Sequence, residues 1–182
     1  MFINSFLRFL TILLSSLFIT TAVCAETSIV HGPFKTDLYP HGEIYFEQED
    51  KEYSPVNFIL AVTESEDENA KFLIDHYAHD GSSPNIETVF FYSVHGVKNI
   101  FVIVSWSSIH RGEGVHGKFY EIYSYYKNTE GYLVLNEEIK SDMNLRGFDG
   151  YMKSGSIDFD YKTANEVKKY IRQHYPSPKL EQ

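Results

Sequence analysis

The chain has 182 residues, 16 Lys and Arg against 25 Asp and Glu, a net charge of −9, and one cysteine. So acidic a sequence, with no basic stripe, argues against nucleic-acid binding, which needs clustered Lys and Arg to displace counterions from phosphate. A single cysteine excludes an internal disulfide and a thiolate metal cage.

The first stretch, MFINSFLRFLTILLSSLFITTAVCAETS, carries Arg8 as its only charge before Glu26. Its apolar run from Phe9 to Ile19 is too short to span a bilayer. Val23-Cys24-Ala25 suits signal peptidase, so cleavage is expected after Ala25. The competing reading, a lipoprotein acylated on Cys24, needs a small residue before the cysteine, and Val23 stands there. Residues 1–25 are thus read as a signal peptide and 26–182 as a single globular domain. Cleavage removes one Arg and no acid, leaving 157 residues with a net charge of −10. It also removes the only cysteine, which points to a bacterial periplasm.

The mature part opens on HGPFKTDLYPHG (31–42), whose Pro and Gly residues read as an irregular lead-in. Two strands follow, near Glu43–Glu47 and at Val56–Val62, joined by a charged turn. Ser65 and Glu68 then match a capping box, and Ala70, Leu73, Ile74, Tyr77 and Ala78 recur at helical spacing. A helix is expected there, with His76 and His79 near its C-terminal end and Gly81 as its stop.

The middle of the chain is β. ETVFFYSV (87–94) and NIFVIVSW (99–106) are rich in β-branched and aromatic residues and are joined by a tight turn at HGVK (95–98). Both alternating faces of 99–106 are apolar, which marks a central strand covered on both sides. Trp106, at the end of that run, is expected to be buried. KFYEIYSYY (118–126), GYLVLNEEI (131–139) and SIDFDY (156–161) read as further strands, with SDMNLRGFDG (141–150) as a loop. Asp142, Asn144, Gly147 and Asp149 resemble the start of a calcium loop. However, Arg146 and Lys153 stand where oxygen ligands belong, so the segment reads as an Asx turn. Thr163 and Glu166 cap a last helix whose inner stripe is Ala164, Val167 and Ile171, and Pro176 ends it. The expected fold is α+β: a mainly antiparallel, curled sheet of about five to seven strands, with two helices packed on it.

No catalytic or cofactor motif stands out. G-x-S-x-G is absent, and the mature chain has no S-x-x-K. The segment SIHRGEGVHGK (107–117) packs His110, Arg111, Glu113 and His116 among three glycines. H-x-x-E-x-x-H would converge on a helix, but the glycines oppose one. A metal-dependent hydrolase built on His110, Glu113 and His116 is the alternative reading, and a small-ligand carrier is a further one. The preferred reading is a mobile, exposed loop on a rigid base that grips a partner. Tyr120, Tyr123 and Tyr125 join the candidate contacts: Tyr123 and Tyr125 lie on one face of their strand, Tyr120 and Tyr126 on the other. The expected function is therefore a non-enzymatic periplasmic binding protein. It would be an inhibitor or immunity protein that occludes an envelope-acting toxin or hydrolase, with no cofactor, no nucleic acid and no stable membrane insertion. Its acidity would steer a basic partner.

The exported protein should begin at Glu26. Intact-mass measurement on material from the producing cell checks this, and a lipidated Cys24 at the N-terminus is the contrary result.

Overall fold

The computed structural model describes residues 26–51, 53–65 and 68–178. The expected signal peptide and Cys24 lie outside them. The first sheet is a meander of four antiparallel strands: β1 (Thr27–Thr36), β2 (Gly42–Glu49), β3 (Val56–Ser65) and β4 (Glu68–Tyr77). The second sheet begins with β5 (Pro84–Val94), β6 (Val97–His110) and β7 (Val115–Lys127). It continues with β8 (Leu133–Leu135), β9 (Arg146–Met152) and β10 (Gly155–Ile157). Its order is β10-β9-β7-β6-β5, with β8 also paired to β7, and all its pairings are antiparallel. A short helix α1 (Glu137–Lys140) and a longer α2 (Ala164–His174) complete the fold. The class is α+β, as expected, but among the described residues ten strands form two sheets rather than one.

The layers follow from side-chain alternation. On one face of β6, Ile100, Val102, Val104 and Trp106 meet Ile44, Phe46, Phe58 and Leu60 of the first sheet. On the other face, Phe101 and Ile103 meet Val167, Tyr170 and Ile171 of α2 and Ile139 of α1. The second sheet is therefore the middle layer, between the first sheet and the helices. The two-residue turn at His95 and Gly96, both with positive φ, closes the β5–β6 hairpin as expected. The Thr163–Glu166 capping box is present in full, and α2 buries Val167 and Ile171.

Five sequence expectations are corrected. The backbone at 68–77 is strand, not helix. Phe58 pairs with Asp75 and Ile59 with Leu73, so Ile74 is an extra residue in a bulge. That bulge breaks the two-residue period and leaves apolar spacings that imitate a helix. The lead-in at 31–42 supplies much of β1, which pairs with β2 through two irregularities of register. GYLVLNEEI divides into the three-residue β8 and α1, because Asn136 accepts a hydrogen bond from the Ile139 N–H and starts a helical turn. The 141–150 loop contains a 3-10 turn at Met143–Leu145 and then β9, while the strand expected at 156–161 shrinks to β10.

Asp142 is the Asx turn that was expected. Its Oδ1 accepts from Asn144 N–H at 2.9 Å. Its Oδ2 accepts from the hydroxyls of Tyr170 at 2.7 Å and Tyr175 at 2.8 Å. Burial alone would raise this carboxyl, but the bonds from Tyr170, Asn144 and Tyr175 outweigh it and hold it below the usual carboxylate range. The hub ties α2 to the turn after α1. Among the described residues no helix is long and apolar enough to cross a membrane.

Trp106 is 7% exposed, and its Nε1–H donates to the Ala78 carbonyl at 2.9 Å, joining β6 to the end of β4. Trp106→Ala removes both the ring and that bond, and should cost about 3–5 kcal/mol. Urea titration checks it, and a loss below about 1 kcal/mol would contradict a core role.

Candidate functional site

β6 and β7 remain paired well beyond the layer beneath them. Their register runs to Ser107↔Lys118, Ser108↔Gly117, Ile109↔His116 and His110↔Val115. The segment 107–117 is therefore not a long loop. Only Arg111–Gly114 connects the strands, as a 3-10 turn that Gly114 N–H closes onto the Arg111 carbonyl. On the other side of β7, β9 pairs through His116↔Tyr151, and β10 folds back on β9 with Ser156↔Tyr151.

Ile109, His116, Tyr151 and Ser156 consequently form one row across four strands. Alternation places that row on the helix side of the sheet, two rows beyond Tyr120. Ile109 is 53% exposed and Tyr151 65%, and His116 is exposed as well. The β6–β7 turn lies beside the neighbouring β9–β10 turn, since a Cβ added to Gly114 would lie 3.6 Å from Lys153 Cγ.

Two glycines allow the strands to meet here. A methyl on Gly117 would strike the Asp149 carbonyl and the Phe148 ring, and one on Gly150 would strike the His116 carbonyl. Gly117 thus serves strand packing and does not belong to an anion cradle.

The row behind the tip is charged and paired. Glu87 accepts from Ser105 Oγ and Lys118 Nζ, each at 2.6 Å. Burial would raise the Glu87 carboxyl, but hydrogen bonds from Lys118, Ser105 and Asn85 hold it below its usual range. Asp149 is held low first by its bond from Lys162, opposed by burial, with the Phe159 N–H also donating. One row further in, Tyr120 stacks on Phe159, and the helical layer begins.

The candidate residues therefore separate. His110, Arg111, Glu113 and His116 are all exposed at the hairpin end. Tyr120 and Tyr125 are 7% and 0% exposed, so as placed they cannot be contacts for a partner. Tyr125 donates to Asp75 Oδ2 at 2.7 Å, which leaves Tyr77 as the donor in the 2.9 Å bond between the two tyrosines. Burial, then the neighbouring Tyr77 and Asp75, push the Tyr125 hydroxyl far above its ordinary value. Half-buried Tyr123 packs edge-on against Tyr77 and donates to Glu121 at 2.6 Å, and Lys140 Nζ lies 3.8 Å from its ring centroid. The parity read from the sequence holds for all three tyrosines, but the strand has no open face where they lie.

Among the described residues, no group of three or more His, Asp or Glu is arranged to hold a metal ion. The reason is visible in the pairing. His116 lies opposite Ile109, so His110 and His116 fall on opposite faces of the hairpin. The sequence reading missed Ile109 and Tyr151. The signal for Tyr151 was Gly150-Tyr-Met-Lys-Ser-Gly155, two short arms around a Lys-Ser turn.

No protein-family model, no curated protein and no solved structure matches the chain.

Two variants separate packing from display at the tip. Gly117→Ala should destabilise the protein by about 1–3 kcal/mol, because the methyl forces β7 and β9 apart. His110→Ala combined with Arg111→Ala and Glu113→Ala should shift stability by no more than about 0.5 kcal/mol. Denaturant titration of both checks the contrast, and equal losses would contradict it.

Proposed function

We propose that the protein is an exported, non-catalytic binding protein of the cell envelope. Its hairpin tip enters a cleft in a protein partner and blocks it, as an inhibitor or immunity protein does. The observation that carries this reading is the exposed row Ile109–His116–Tyr151, set on paired strands and flanked by Arg111 and Glu113. Tyrosine and arginine are the side chains most enriched where binding energy concentrates. A hairpin whose backbone is already bonded into a sheet loses little conformational freedom on docking. Tyr120 and Tyr125 have no part in this contact; they hold the platform. The net charge of the whole chain favours fast encounter with a basic partner, although the tip itself carries both signs.

A photo-crosslinking residue at position 109 or 151 tests the reading, with the exposed Lys169 position on α2 as control. The tip positions should capture one envelope protein stoichiometrically, and position 169 should not. The triple change at His110, Arg111 and Glu113 should then weaken binding of that protein by about tenfold or more. Capture from all three positions alike, or unchanged binding by the triple variant, would overturn the proposal.

A further inference from the structure

At the opposite end of the second sheet, a groove of about 710 Å³ runs along β5. Its lining includes Phe91, Tyr92 and Ser93 of β5, Lys98 of β6, and Arg172 and Tyr175 at the end of α2. These side chains come from both faces of the sheet. Phe91 packs toward the first sheet, and Lys98 lies over its ring at 5.5 Å. Tyr92 and Tyr175 pack on the helix side. A groove lined from both faces lies along the strand's edge. Among the described residues β5 is an edge strand, bonded to β6 alone. In an antiparallel pair alternate N–H and C=O groups point away from the partner, so β5 offers an unused ladder to that groove. The groove ends at the β5–β6 turn, where His95 N–H donates to the Tyr175 carbonyl at 3.3 Å.

The charge of the groove is opposite to that of the chain. Its lining holds two cations and no carboxylate, in a protein of net charge −9. The cations stand on different sides of the edge, Lys98 toward the first sheet and Arg172 on α2. Among the described residues Arg172 has no acidic partner. Lys98 already holds one carboxylate, that of Asp37, whose Oδ1 lies 2.6 Å away. That contact is exposed on both sides and open to exchange.

We infer that the free edge of β5 binds an acidic, extended peptide segment of a partner, which adds to the second sheet as a further strand. Side chains of an added strand alternate between faces, so acidic residues at successive positions reach Lys98 and Arg172 in turn. The ladder supplies affinity without regard to sequence, and the two cations select for acid. This site is independent of the hairpin tip and lies at the other end of β6.

The test uses a blocked heptapeptide of valines with two adjacent glutamates at its centre, its counterpart with two adjacent lysines, and the acidic peptide N-methylated at alternate positions. Amide chemical shifts and hydrogen exchange are followed on the full mature chain. The acidic peptide should shift and protect amides within 91–93. The lysine and N-methylated peptides should bind at least about tenfold more weakly. Arg172→Glu should cost about tenfold in affinity at unchanged melting temperature, and Asp37→Asn should raise affinity about threefold by freeing Lys98. Equal binding of the lysine peptide would overturn the charge selection, and equal binding of the N-methylated peptide the strand addition. No binding at all, or a protein alone that is dimeric with β5 amides already protected, would overturn the proposal outright.

Discussion

Ile100, Val102 and Val104 project from one face of β6, Phe101 and Ile103 from the other, and none of the five has any solvent exposure. A strand with two apolar faces cannot lie at a surface, and burying each such side chain is worth about 1.5–3 kcal/mol. One cover is the four-stranded sheet and the other is α2 with α1. Both covers pack against β6, joined there by residues of β5 and β7. Beyond Trp106 the strand changes character. Ser107, Ile109 and His110 are exposed, and the covering layers have ended. The tip is what remains when the strand pair outruns its covers.

The polar groups inside the layers fix how the covers sit. Hydrophobic burial is non-directional and tolerates sliding, whereas a buried hydrogen bond does not. Tyr77, Tyr125 and Asp75 form such a chain between the two sheets. Asn99 is 1% exposed, and its Oδ1 accepts from Ser124 Oγ at 2.8 Å and from Asn136 Nδ2 at 3.1 Å, which aligns β6, β7 and the start of α1. Trp106 contributes the bond to Ala78, and Asp142 collects the two tyrosines of the α2 end. Each of these bonds links elements distant in sequence, so a one-residue slip would leave a buried donor or acceptor unpaired.

What could be read from the residues alone was governed by range. The doubly apolar run at 99–106 and the Thr163–Glu166 box are local signals, and both correspond to what formed. The stretch 68–77 shows the opposite case. Its apolar spacing reflects a bulge at Ile74 that exists only because β3 lies alongside, and no local rule contains β3. The tyrosines of β7 had the right parity, yet parity does not say whether a face is open. Tyr120 is covered by Phe159, some forty residues away in sequence, and Tyr125 by the first sheet. At the tip, His110, Arg111, Glu113 and His116 were legible because they are close in sequence. Tyr151 was not, because its place beside His116 depends on two glycines, Gly117 and Gly150, meeting across strands.

The two sheets are also separate stretches of chain. All four strands of the first fall within 27–77, and the second sheet with its helices falls within 84–178. A chain made from its N-terminus can therefore complete the hydrogen bonds of the first sheet once Tyr77 has been added. Its inner face, with Ile44, Phe46, Phe58 and Leu60, must then wait for β5 and β6 of the second sheet before it is covered. During that interval synthesis presents an apolar sheet with two free edges. This is the form in which the chain most needs a chaperone, and the form from which wrong strand pairings would start.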